Sequence, residues 1–202
     1  MEKIKFDVGA NLGKDTIEMA RDGSIVYAFE PTQELVATSL WNISRQIPNI
    51  RIIPFAVDIE NSFKTFNVAG QAGWGCSSLY DFSDDINEKW PGRSDFKKTN
   101  SYTVPTITLY DFCELYNIKS IDFLHIDAQG NDLNVLLSLK DKISIVKHGM
   151  VEAANNVELY KNTNNRAEDI RKFLVDNGFS IVKETINDPI AAEINIEFIK
   201  ND

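Results

Sequence analysis

The chain has 202 residues, 43% hydrophobic and 25% charged, enough for one domain with a sizeable core. Its 30 acidic against 21 basic side chains give a formal charge of −9. That balance lacks the basic footprint of a phosphate-backbone binder and suits a neutral or cationic ligand. Cys76 and Cys113 follow no metal or redox spacing, and two histidines argue against a histidine-built metal site. No run approaches a membrane helix, and "MEKIKFDV" lacks the plan of a signal peptide, so the cytosol is the expected compartment.

Short β-rich runs alternate with helical patterns, which predicts a parallel α/β sheet. Residues 3–9 read as the first strand and 13–23 as a helix closed by Gly23. Residues 24–31 are the second strand. A helix follows over 32–47, with Leu35, Val36, Leu40 and Ile43 on one face. Residues 49–57 are the third strand. "SFKTFNVAG" reads as a strand leaving the main plan, and residues 70–100 as a long irregular loop of the lid or binding kind. Pro105 makes "SYTVPTI" an edge strand. A short helix over 109–117 leads to the fourth strand, 121–129. Residues 131–142 form a buried helix and 145–154 the fifth strand. A helix ending at Gly178 and a closing pair of strands complete the chain. The reading is one domain over residues 1–202, either minimal or cut from a longer chain.

The loop "FDVGANLGKD" lies between the first strand and helix, where an open parallel sheet binds a nucleotide. The dinucleotide fingerprint G-x-G-x-x-G fits in neither register: one gives Val8, Ala10, Gly13, the other Gly9, Asn11, Lys14. Ala10 or Asn11 fills the space a pyrophosphate needs, and Asp7 at the mouth resists a doubly anionic ligand. S-adenosylmethionine, a sulfonium with an ammonium and no phosphate, fits better. Asp7 would pair with its positive end, Gly9 and Gly13 would turn beneath it, and Asn11 would meet its carboxylate. Glu30 stands 21 positions after Gly9, at the next strand end, placed to accept from ribose hydroxyls. Its alternative is a helix-start charge. Pro31 follows it. Phe55, Ala56 and Val57 would line the adenine and Asp58 would accept from its amine; core packing is the alternative for the apolar three.

"FDVGANLGKDT", "AFEPTQEL", "CSSL" and "FLHIDAQGNDLNVLLSL" together resemble the FkbM family of S-adenosylmethionine-dependent O-methyltransferases. The likeness spans nearly the whole chain. Departures are Gln129, where the family usually has Glu, and Asn131-Asp132, where it often has His-Glu; they bear on the acceptor side. The resemblance implies a Rossmann-like class I methyltransferase fold, with seven mostly parallel strands in the order 3-2-1-4-5-7-6 and helices on both faces. It implies methyl transfer to hydroxyls of sugars or natural products. A compact form of this kind is similar to viral glycan methyltransferases acting on rhamnose, which would work in a host cytoplasm.

Methyl transfer to a hydroxyl needs an aligned oxygen and a base. Asp127, ending the fourth strand, is the first choice for that base, with cofactor contact or helix capping as alternatives. Glu152, ending the fifth, would share the cleft and orient a sugar diol. Asn155 or Asn156 with both acids could instead hold Mg²⁺, but a metal-free mechanism is preferred. His125 reads as a satisfied core histidine, and His148 sits at the wrong end of the sheet. In "AGWGCSSLYDF", Trp74 would stack on a sugar ring, while Ser77 and Ser78 would donate to substrate or to the methionine carboxylate. Tyr80, Trp90 and Tyr160 are wall or core residues.

Two other readings stay open at this point. One is an NAD-dependent oxidoreductase, disfavoured by the missing glycine. The other is an inactive methyltransferase-fold module fused to a glycosyltransferase.

Overall fold

A computed structural model of the chain describes residues 2–70, 75–187 and 193–201. The main sheet begins with β1 (Ile4–Val8), β2 (Ile25–Phe29) and β3 (Ile50–Ile53). It continues with β7 (Phe123–Ile126), β8 (His148–Ala154), β9 (Phe179–Ile186) and β10 (Glu193–Lys200). Their order is β3-β2-β1-β7-β8-β10-β9. Counting only these strands along the chain, that is the expected 3-2-1-4-5-7-6. Val8 pairs with Phe29 on one side and Ile126 on the other, both in parallel. β10 alone runs backwards, setting Asn195 opposite Glu152.

Crossover helices cover both faces: α1 (Lys14–Ala20), α5 (Leu109–Leu115), α6 (Asp132–Leu137) and α7 (Ala167–Asp176). Between β2 and β3 the chain winds through α2 (Gln33–Leu35), a π turn over Val36–Leu40 and α3 (Trp41–Gln46). Leu35 and Leu40 are buried there, as the helical face predicts. The helix expected over 131–142 is shorter: α6 ends at Leu137 and a 3₁₀ segment spans Lys140–Ile145.

The central core forms because β1 and β2 are flanked on both sides by other strands: β1 turns Phe6 and Val8 to one face, and β2 carries apolar residues on both. Phe6, Phe29 and Phe112 are buried and meet edge to face, with centroids 4.9–5.6 Å apart. Each such ring pair adds about 0.5–1.5 kcal/mol beyond its buried area.

A second, three-stranded sheet contains β4 (Ala56–Val57), β5 (Phe63–Ala69) and β6 (Lys98–Ile107), in the order β4-β6-β5. The edge assignment for "SYTVPTI" is therefore corrected: β6 is the middle strand. Thr106 donates its N–H to Ser62 O on the β5 side. Backbone alternation then points the Pro105 nitrogen the other way, where β4 pairs only from Thr106 onward, so no ladder bond is lost.

The segment between β5 and β6 is not wholly irregular. Gly70 N–H donates to Lys97 O at 2.7 Å, closing its neck. α4 (Ile86–Lys89) lies within it. Ile86, Trp90 and Phe96 are buried with Leu159 and Tyr160 in a satellite core. Trp90 is thus a core residue, and Tyr160 stacks on Phe82 with centroids 5.3 Å apart. Among the described residues, no helix is long and apolar enough to cross a membrane.

Candidate active site

The loop after β1 is fixed from below. Gly9 and Ala10 both donate N–H groups to Phe29 O, at 3.0 and 3.1 Å. Gly9 has φ +89°, and a Cβ there would lie 1.8 Å from the carbonyl oxygen of Asp127. Gly13, with φ +82°, leaves room for Leu40 and Ile43. Both glycines are thus required by backbone conformation and by close approach.

Asp7 does not line the cleft above this loop. It is buried, accepts from the Thr16 hydroxyl, and meets His125 Nδ1 at 2.8 Å. Burial works against charge on His125, but the Asp7 hydrogen bond and charge prevail and push it up to about 9. The expected direct pairing of Asp7 with a ligand is corrected to a buried ion pair under the loop, and His125 is the satisfied core histidine expected. His148 pairs with Glu197 at the far end of the sheet.

Glu30 is 4% exposed and lines the cleft. Its Oε2 accepts the Asn11 N–H at 2.8 Å and its Oε1 the Thr32 N–H at 2.7 Å. Burial pushes its carboxyl above the usual range, opposed by hydrogen bonds from Thr32 and Asn11. Asn11 Oδ1 is buried in the cleft lining without a partner.

The cleft holds about 610 Å³, partly open to solvent. Val8 and Gly9 form its floor, and Glu30, Pro31, Thr32 and Leu35 one wall. Phe55, Ala56, Val57 and Phe66 give the lining an apolar part. Asp127, Ala128, Gln129 and Asn131 bound it toward β7, while Gly75, Ser77 and Leu79 belong to the segment after β5. Of the expected residues, Gly9, Asn11, Glu30, Pro31, Ala56, Val57, Ser77, Asp127 and Asn131 therefore converge here.

Others serve it from outside the lining. Ala10 packs with Ala28 and Leu40. Asp58 is buried against Lys64 and accepts its neighbour Ile59 N–H, so it holds an ion pair rather than facing an adenine amine. Ser78 is buried and donates to Gln129 O at 2.6 Å, pinning the segment to the β7 turn instead of meeting ligand. Asp132 is a strut: its two oxygens accept Ala128 N–H at 2.6 Å and Gly130 N–H at 3.1 Å. Burial and the Asp127 charge push it up to about 7. Asn155 and Asn156 line a separate depression with Lys89, Arg166 and Arg171, away from Asp127. That separation removes the asparagines from a shared Mg²⁺ site with the acids. Trp74 lies outside the described residues.

The sequence reading missed the role of Gln129. Its Nε2 donates to Asp127 Oδ1 at 2.6 Å and to Glu152 Oε2 at 2.9 Å. Its Oε1 accepts the Tyr160 hydroxyl at 2.7 Å, and the same hydroxyl lies 3.0 Å from Cys76 O. Tyr160 is thus an anchor for Gln129 rather than a wall of the cleft. Glu152 is buried behind this amide, and Asn187 donates to its Oε1 at 2.7 Å. Thr32, Leu35, Phe66 and Leu79 were likewise unforeseen in the lining, since a lone threonine before a helix, or a lone apolar residue in a helix, strand or turn, reads as ordinary structure.

The strand order and the cleft at the carboxyl ends of β1, β2 and β7 define a class I methyltransferase fold. The chain belongs to the FkbM methyltransferase family: the Methyltransferase FkbM domain matches residues 7–181. A curated relative, "2-O-methyltransferase NoeI" of Sinorhizobium fredii (strain NBRC 101917 / NGR234), is 23% identical over 165 residues. The match covers 79% of this chain and 66% of that protein, just under two thirds of its length. The fold is similar to that of methyltransferase FkbM from Methylobacillus flagellatus KT, with TM-score 0.60 and 14% identity. That alignment covers 98% of this chain and 43% of the other. It is also similar to magnesium protoporphyrin IX methyltransferase from Synechocystis PCC 6803 with bound SAM. There the TM-score is 0.54 at 13% identity, covering 99% of this chain and 71% of the other.

Proposed function

We propose that this chain transfers a methyl group from S-adenosylmethionine to a sugar hydroxyl of a glycan or smaller saccharide, with rhamnose a candidate acceptor. The observation that carries the donor half is Glu30. Two backbone N–H groups fix its carboxylate at the cleft rim, leaving lone pairs for the vicinal hydroxyls of a ribose. The rest of the lining fits the same molecule. It contains Asp127 and Glu30 but no Lys or Arg among the described residues, so it offers a phosphate no countercharge and a cation two carboxyl groups. The unpartnered Asn11 Oδ1 provides an acceptor for an ammonium group. Phe55, Ala56 and Val57 provide an apolar slot for a flat base.

When bound, S-adenosylmethionine supplies an electrophilic methyl carbon on sulfur. Asp127 lines the cleft and would take the proton of the acceptor hydroxyl during that transfer. Gln129 and Glu152 hold Asp127 in place. Oxygen as the target accords with the 2-O-methyltransferase NoeI of Sinorhizobium fredii, and a sugar is the acceptor we infer.

Two measurements test this. Calorimetric titration should show saturable binding of S-adenosylhomocysteine and none of NADH; the reverse would overturn the donor assignment. Incubation of labelled S-adenosylmethionine with a saccharide panel that includes rhamnose-terminated glycans should give a methylated product by mass spectrometry. Tight donor binding with no product from any saccharide would refute the acceptor half and favour a non-catalytic module.

A further inference from the structure

Two acidic side chains from adjacent strands meet at one neutral amide. Asp127 follows β7 and Glu152 lies in β8, and Gln129 gives one amide hydrogen to each, at 2.6 and 2.9 Å. The amide's orientation is set because its oxygen accepts from Tyr160 at 2.7 Å and turning it over would place that oxygen against both acids; the Ser78 hydroxyl separately holds the backbone oxygen of the same residue at 2.6 Å. Gln129 itself has φ +50°, so its backbone is held in an uncommon conformation that aims the side chain. Both carboxyls therefore lie within hydrogen-bond distance of a single nitrogen atom. Two acids crowded at one site do not both ionise, because each charge opposes the other, so the pair retains one proton.

We propose that Gln129 is the positioning residue of this centre, holding Asp127 and Glu152 as a pair that carries a single proton, with that proton on Glu152 and the charge on Asp127. The asymmetry follows from surroundings. Glu152 is buried, and Asp127 is the member that lines the cleft. Groups facing Glu152 are Asp127, Asp132 on α6 and Glu193 on β10, all acidic, with the neutral Asn187 as its other donor. Burial and the Asp127 charge therefore hold the Glu152 carboxyl well above its ordinary range. Gln129 supplies the two donors that let the pair sit together without a cation between them. A carboxylate at this position would supply none, and would add a third acid to the cluster.

The inference rests on the methyltransferase reading only for what Asp127 does with its charge; the proton arrangement is measurable without turnover. Infrared difference spectra at about pH 8, above the value of about 7 for Asp132, should show a neutral-carboxyl component that Glu152→Gln removes. Gln129→Glu should add a second neutral-carboxyl band, move the acidic limb of the rate profile to higher pH, and lower kcat by about 10²-fold through misplacement of Asp127. Affinity for S-adenosylhomocysteine should be kept. If Gln129→Glu does not fold, the wild-type band and its loss in Glu152→Gln still decide the matter. No such band in the wild type, its survival in Glu152→Gln, or an unchanged band pattern and pH profile in Gln129→Glu would overturn the proposal. Failure to bind S-adenosylhomocysteine would instead sink the methyltransferase reading and leave the infrared result standing.

Discussion

Glu30, at the tip of β2, accepts the backbone N–H of Asn11 in the loop after β1, 2.8 Å away. One carboxylate thereby sets the spacing between two strand ends, and its remaining lone pairs face the cleft. Glu30→Gln keeps the shape but loses the charge, and its amide half can no longer accept an N–H. A hydrogen bond to a charged group is worth about 1.5–3 kcal/mol. Calorimetry should therefore show S-adenosylhomocysteine bound at least about tenfold more weakly.

Asp127→Asn removes the proton acceptor while preserving size. Loss of general-base assistance should lower kcat by about 10²–10⁴-fold, with the affinity for S-adenosylhomocysteine largely kept. Full activity in this variant would mean that the base lies elsewhere.

The buried pair of His125 and Asp7 makes stability depend on pH. His125 is raised to about 9 in the folded chain against 6.5 for the ordinary side chain. Its contribution is present in full below about 6.5 and is lost as pH rises through about 9. The difference amounts to about 3 kcal/mol. Urea unfolding at pH 6 and pH 9.5 should show that loss in the wild type, and His125→Gln should largely abolish it.

Gly9 and Gly23 have similar positive φ, +89° and +84°, but different neighbours. A methyl group at Gly23 meets nothing within 4 Å, whereas at Gly9 it would overlap the Asp127 carbonyl. Gly23→Ala should cost about 1 kcal/mol, the strain of conformation alone. Gly9→Ala should cost several times more, or prevent folding, in thermal or urea unfolding of the two variants.

The succession of strands and helices and the place of the glycine loop were legible because they depend on local pattern, whereas the strand order came with the family resemblance. β1, the glycine loop and Glu30 form one contiguous unit, and their spacing is a backbone requirement that sequence displays directly. The roles of Asp7, Asp58 and Asp132 were not legible. An acid at a strand end looks the same whether it faces a ligand or a buried partner; the partner of Asp7 is His125, far along the chain, and those of Asp58 and Asp132 are near but are set by loop geometry that sequence does not display. Gln129 was visible only as a departure from a family pattern. Its function depends on Glu152 and Tyr160, which reach it across more than twenty residues of chain. Pro105 misled for a related reason, since a proline forbids one hydrogen bond on one side and says nothing of the strand on its other side.

The closed neck at Gly70 and Lys97 has an engineering consequence. Because the sheet resumes where it stopped, the intervening stretch can be exchanged as one piece if the graft keeps the Ser78 bond to Gln129 and the satellite core of Ile86, Trp90 and Phe96. Swapping it between homologues should retarget the acceptor without rebuilding the scaffold, provided the graft retains a docking face for Phe82's partner, Tyr160.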